Sequence, residues 1–204
     1  MADDHALTKY MVNGHSAFSP LNPVSMPNPD GGPAGLAIAE MAHLGKLSLR
    51  GDGEVMAKIG QAAGCGAPTE NLSFMRKGER LMAAVGPDEA MLLVEAGAEA
   101  SLAAVLENAI AGHHGAVVDI TDALCALHLT GDKVRWVLAK GCALDLHNDI
   151  FVAGMCAQTM LSHAGVTLIC EGVDDFILIC RTSFASYVLD WLCDAATDVG
   201  VEVA

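Results

Sequence analysis

Lys140, Cys142, Asp145 and His147 lie close together in the run Val137-Leu138-Ala139-Lys140-Gly141-Cys142-Ala143-Leu144-Asp145-Leu146-His147. A cation beside a thiol favours the thiolate, which is the nucleophilic form of cysteine. A nucleophile also needs a base within reach, and His147 is the only nearby one in sequence. No third group orients that base. Gly141 reads as the C′ terminator of a helix over Lys133–Lys140, so packing at a helix end is the simpler account of Cys142.

Other reactive residue types give no firmer chemistry. The neighbours His113 and His114 would diverge on a helix or a strand, and only an irregular loop could aim both at one ion. His128, His147 and His163 fit neither a structural zinc spacing nor an HExxH motif. Asp119 and Asp122 could share general acid–base work. At a strand end, Asp and Thr more often tie off a turn by side-chain bonds to the backbone. Gly51-Asp52-Gly53 and Gly86-Pro87-Asp88 read as turns and match neither GxxxxGK[ST] nor GxGxxG. The seven cysteines form no CxxC, and most sit in apolar runs, as expected of buried reduced thiols in a cytoplasmic protein.

Bulk composition narrows the function classes. The 204 residues carry a net charge of −14 with no basic cluster, which disfavours nucleic acid. Hydrophobic residues make up 52% and charged residues 18%, against a usual charged share of about 25%. Such a surplus suggests apolar area covered by a partner. The longest apolar stretches, such as Val166–Cys170 and Phe176–Cys180, are strand-length and far short of the roughly 18 residues that cross a membrane. The acidic start Met1-Ala2-Asp3-Asp4-His5 is unlike a secretory signal. Residues 1–35 hold most of the prolines and read as an extended arm.

The elements that must position these residues form a repeat. Leu47-Ser48-Leu49-Arg50-Gly51-Asp52 recurs as Leu127-His128-Leu129-Thr130-Gly131-Asp132. Each is an alternating strand that ends at Gly-Asp and leads into helix-compatible sequence, Glu54–Gln61 or Lys133–Lys140. Gly86-Pro87-Asp88-Glu89 and Gly172-Val173-Asp174-Asp175 then mark hairpin turns. Helices follow over Ala98–Ala111, with Leu102, Val105 and Leu106 on one face, and over Ser183–Ala196. A further strand, Gly115–Thr121, precedes the second set. The fold class is therefore α+β, with two related strand-helix-hairpin-helix halves, 36–112 and 113–204, packed as one globule. Lys140 and Arg181 each end a regular element in this acidic half. Each could meet an acidic patch on another subunit. Helix-dipole pairing for Lys140 and a surface salt bridge for Arg181 are equally good accounts.

Taken with Cys156-Ala157-Gln158-Thr159 and Arg181-Thr182-Ser183-Phe184-Ala185, the run Val137–His147 resembles the gamma subunit of heterotetrameric sarcosine oxidase. Leu47–Asp52 and Gly86–Glu89 fit the same family, and the likeness spans about 36–196. It implies a fold similar to the folate-dependent aminomethyltransferase, the glycine-cleavage T-protein. It also implies partners: an alpha subunit that binds NAD and tetrahydrofolate, a flavin-bearing beta subunit with FAD and FMN, and a zinc-binding delta subunit. No active site of its own, and no cofactor or metal, is expected in the gamma chain. Lys140, Gly141, Cys142, Asp145, His147, Gln158 and Arg181 become candidates for the subunit interface. Ala143 and Asn148 stand where many relatives have proline, which touches loop stiffness. Two alternatives stay open: a gamma-like subunit of N-methylglutamate dehydrogenase, and a free-standing folate-binding protein using a cleft between the halves, with Asp119 or Asp145 as the pterin partner.

Overall fold

In the computed structural model, which describes residues 25–204, the chain runs β1 (Leu36–Glu40), β2 (Gly45–Gly51), α1 (Gly53–Ala63), β3 (Phe74–Lys77), β4 (Arg80–Gly86), β5 (Glu89–Val94), α2 (Glu99–Ala109) and β6 (Gly115–Asp119). It continues β7 (Leu124–Thr130), α3 (Val134–Ala139), β8 (Cys156–Leu161), β9 (Ala164–Gly172), β10 (Asp175–Arg181), α4 (Ala185–Ala195) and β11 (Val201–Val203). The α+β class and the repeated order are as the sequence reads. Each expected hairpin gains a third strand, β3 or β8, that pairs with β4 or β9.

Two compact units result, one of residues up to Ala42 with Cys125–Ala204 and one of His43–Leu124. Their sheets have the orders β11-β1-β7-β10-β9-β8 and β3-β4-β5-β2-β6. The division differs from a cut at 112/113, and the strand ladders give the reason. β1 precedes the first half but pairs with β7, placing Ile38 opposite Leu129. β6 precedes the second half but pairs with β2, placing Val117 opposite Leu49. The leading strands of the two repeats are exchanged. The part of the proposed arm at 1–24 lies outside the described residues. Met26 bridges Val201, so the arm's end is held by the β11 edge.

The Gly-Asp pair that ends each repeated strand has a local cause. Asp52 caps α1, its Oδ1 accepting from the Val55 amide at 2.9 Å, and Gly64 ends the helix at φ 77°. In the second repeat Asp132 does not cap; it pairs with Lys133 at 3.1 Å. Gly131 holds φ 124°, and a Cβ there would lie 2.3 Å from the Gly35 carbonyl oxygen.

Alternation puts Leu47, Leu49, Leu92 and Val94 on one face, against Val55 and Ile59 of α1 and Leu102 and Leu106 of α2. The equivalent core holds Leu127, Leu129, Leu168, Phe176 and Leu178 against Val134, Val137 and Leu138 of α3 and Val188 and Leu192 of α4. Each such side chain contributes roughly 1.5–3 kcal/mol relative to exposure. Val105, expected on the buried face of α2, is 51% exposed instead. The opposite sheet faces are buried too, through Leu81 and Leu93 in one sheet and Ile169, Ile177 and Ile179 in the other. Strands buried on both faces read as unbroken apolar runs. Much of the apolar surplus is therefore accounted for inside the chain. No helix among the described residues is long and apolar enough to cross a membrane.

Candidate subunit interface

The signature run carries the chain from the end of α3, along the edge of β8, into an exposed turn. Lys140 sits at the C-cap of α3. Its ammonium donates to the Ala195 carbonyl and to Asp198 Oδ1, both at 2.6 Å, and lies 5.6 Å from the Trp136 ring centroid. Trp136 Nε1 donates to the other Asp198 oxygen at 3.2 Å. These two donors, Lys140 first, hold the Asp198 carboxyl below its ordinary pKa. The Lys140 side chain thus ties α3 to the end of α4.

Gly141 is no left-handed terminator, because its φ is not positive. Space is the reason for glycine: a Cβ here would lie 2.4 Å from Trp191 Cζ2. Its carbonyl accepts from the Ser162 amide at 2.8 Å, and Cys142 bridges Leu161 at the end of β8. Cys142 is half-buried, and its Sγ has Thr159 Oγ1 at 3.9 Å. His147 bonds within its own turn. Its amide donates to Asp145 Oδ1 at 2.9 Å, and its Nδ1 accepts from the Asp149 amide at 3.3 Å. The thiol and the imidazole thus serve separate local bonds, and the pattern is that of an Asx turn rather than a nucleophile and its base.

Gln158 points out from β8, opposite Thr167 of β9. Arg181 is exposed at the end of β10 and makes no ion pair with a described residue. The seven candidates thus fall into a helix-end cluster (Lys140, Gly141, Cys142), an exposed turn (Asp145, His147) and two separate positions (Gln158, Arg181).

The residue that organises this region is Arg135, one that sequence reasoning passed over. Its Nε donates to the Val173 carbonyl at 2.5 Å, and Nη1 donates to those of Leu146 and Phe151 at 2.8 and 2.9 Å. Nη2 reaches Cys170 Sγ and the Gly172 carbonyl, both at 3.4 Å. The guanidinium also lies 4.8 Å from the Phe176 centroid, and Phe176 stacks on Phe151 at 6.3 Å. One side chain with five donors therefore joins the 146–151 loop to the β9–β10 turn. The available signal was a lone charge in the short apolar helix Val134-Arg135-Trp136-Val137-Leu138-Ala139.

Other titratable groups are engaged locally. His113 Nε2 lies 2.7 Å from Lys58, and His128 Nε2 lies 2.7 Å from Asp175. Asp119 Oδ1 accepts from the Thr121 amide at 3.0 Å, the turn role expected for it. All seven cysteines are free thiols. Burial raises the Cys65 and Cys170 thiols, and the Cys180 thiol is raised first by its hydrogen bond with Cys125 at 3.4 Å, then by burial. Among the described residues no three His, Cys, Asp or Glu side chains are grouped to hold a metal.

Comparison with known proteins gives one answer. A model of the sarcosine oxidase, gamma subunit family matches residues 50–198. The chain is 30% identical over 167 residues to sarcosine oxidase subunit gamma from Corynebacterium sp. (strain P-1), covering 81% of this chain and 80% of that protein. It is 32% identical over 114 residues to the subunit of the same name from Arthrobacter sp, covering 56% and 55%. Among solved structures it is similar to a chain of heterotetrameric sarcosine oxidase from Corynebacterium sp. U-96, with a TM-score of 0.77, 28% identity, and coverage of 85% of this chain and 90% of that one. Aminomethyltransferase T of the Bartonella henselae glycine cleavage system shares the fold at TM-score 0.63 and 17% identity, over 84% of this chain and 48% of that one. The chain belongs to the sarcosine oxidase gamma subunit family.

Proposed function

We propose that this chain is a non-catalytic gamma subunit of a sarcosine oxidase-like heterotetramer, assembled with alpha, beta and delta subunits. The complex would oxidatively demethylate a secondary N-methyl amino acid, sarcosine or a close analogue, and pass the one-carbon unit to tetrahydrofolate. FAD, FMN, NAD, tetrahydrofolate and zinc would belong to the partner subunits. The observation that carries this reading is the family match over residues 50–198, joined to a structural likeness that spans 90% of a chain of the heterotetrameric enzyme.

The bonding of the signature run supports a scaffolding role. Lys140, Asp145 and His147 of the run, with Arg135 just ahead of it, join helix ends, turns and loops of this chain to one another. Groups held this way give shape to a surface and are poorly placed to move protons.

The test is to express the other subunits with and without this chain. Lower flavin loading, solubility or turnover in its absence is the expected result. If all three stay unchanged, the scaffolding role is refuted.

A further inference from the structure

Three large apolar side chains stand open to solvent around the Arg135 staple: Val173 at 60%, Ile150 at 55% and Val152 at 42% exposure. They are neighbours in space as well as in exposure. The Phe151 and Val173 carbonyls, which belong to or adjoin these residues, accept from the same guanidinium. The loop is further pinned where the Gly154 amide donates to the Cys170 carbonyl at 2.9 Å and the Cys170 amide donates to the Met155 carbonyl at 2.8 Å. Exposed apolar groups on a rigid frame lose little freedom when covered, which is the condition for a binding surface.

Carboxylates border this platform in the sequence. Asp145 adjoins the stapled Leu146, Asp149 adjoins Ile150, and Asp174 adjoins Val173; all three are exposed. The Arg135 guanidinium at the centre faces inward, its donors already engaged. Resting on the reading of this chain as a subunit of a larger oxidase, we infer that Ile150, Val152 and Val173 form the centre of its docking surface for another subunit, whose matching surface is apolar and rimmed by Lys and Arg. A second copy of this chain is the poorer occupant. A twofold contact sets each patch against itself, so the three aspartates would face their own copies in a protein of net charge −14.

The experiment uses the full chain, tagged, and the other subunits of the same host's oxidase co-expressed without it. Affinity is measured by biolayer interferometry for wild type, Ile150→Asp, Val173→Asp and the control Val105→Asp, which alters an equally exposed residue on α2. Ile150→Asp and Val173→Asp are each expected to weaken binding at least tenfold, with Val105→Asp within twofold of wild type. Equal binding by all four proteins overturns the docking surface and leaves the subunit reading standing. Failure of the wild type itself to bind overturns the subunit reading. A wild-type homodimer that Val173→Asp dissociates overturns the choice of a different partner. If an apolar-to-Asp variant melts early, the combined Asp145→Asn, Asp149→Asn and Asp174→Asn variant replaces it. Asn keeps the oxygen that accepts the His147 amide. That variant should bind at least fivefold more weakly at low salt and show a shallower salt dependence; an unchanged salt dependence overturns the basic-rimmed partner.

Discussion

Replacing Arg135 by Met tests whether one guanidinium holds the loop and turn on this end of the protein. Met keeps an apolar stem over Phe176 and removes every donor. Two lost bonds matter most, because they reach the carbonyls of Leu146 and Phe151, residues only 5% and 4% exposed. A hydrogen bond to a charged group contributes about 1.5–3 kcal/mol. The contact with the Phe176 face adds roughly 0.5–1 kcal/mol. Bonds to Val173 and Gly172 lie nearer water, which can replace them. Water entering the vacated site offsets part of the loss, which leaves about 3 kcal/mol of destabilisation. For a chain of this length that lowers Tm by roughly 6–12 °C. Arg135→Lys should recover no more than about a third, since an ammonium cannot span carbonyls on two segments. Thermal unfolding gives the first measurement, and hydrogen exchange over 144–155 and 171–175 gives the second. An Arg135→Met protein that melts within about 1 °C of wild type with unchanged exchange in both segments would refute the staple.

Three further outcomes are expected. Gly141→Ala drives a methyl into the Trp191 indole and should cost about 1–3 kcal/mol by denaturant unfolding; Trp191→Leu in the same chain should return part of it, and a purely additive double mutant would speak against the contact. The Asp198 carboxyl, lowered chiefly by Lys140 and then by Trp136, contributes stability above the ordinary carboxylate pKa that is lost as pH falls through its depressed value; carbon-13 NMR titration should place it below other exposed aspartates, and Lys140→Met should move it up. Burial and the Cys125 contact suppress thiolate at Cys170 and Cys180, so native maleimide labelling near neutral pH should be slow at both and fast in denaturant; rapid native labelling at either, read by mass spectrometry, contradicts the packing.

The site was legible in part, and the boundary has a physical basis. The turn at Asp119 was legible, because a short side chain satisfies an amide two residues on; Asp145 makes the same kind of bond, yet its place between Cys142 and His147 drew attention to chemistry instead. Gly141 was legible as the end of a helix but not as a close approach, since the indole that requires the glycine lies fifty residues on, at Trp191. Arg135 escaped notice for the same reason. Its partners at 146, 151, 170, 172 and 173 come together only after two loops have closed, and nothing in local periodicity marks such convergence. The sequence left Lys140 between a partner contact and helix-dipole pairing, and its bond to Asp198 was not legible because that carboxylate is equally remote.

The exchange of leading strands explains why the repeat was visible while its boundary was not. Alternation and Gly-Asp turns are local, so each copy writes its own signature, and both copies were found in order. Pairing is a choice between edges. β1 and β6 are both strands of five residues, and neither sequence marks β2 or β7 as its neighbour. The ladders settle it by sending Leu36–Glu40 to β7 and Gly115–Asp119 to β2. β2 then has a neighbour on each side, β5 and β6, so its buried Leu47 and Leu49 lie in a sheet interior rather than at an edge. The same holds for Leu127 and Leu129 of β7 between β1 and β10. Each sheet is completed only by a strand from the other repeat, so a cut at 112/113 would strip a flank from both. A scaffold built this way cannot shed one half and keep the other, which suits a chain whose proposed task is to hold its shape while other subunits do the chemistry.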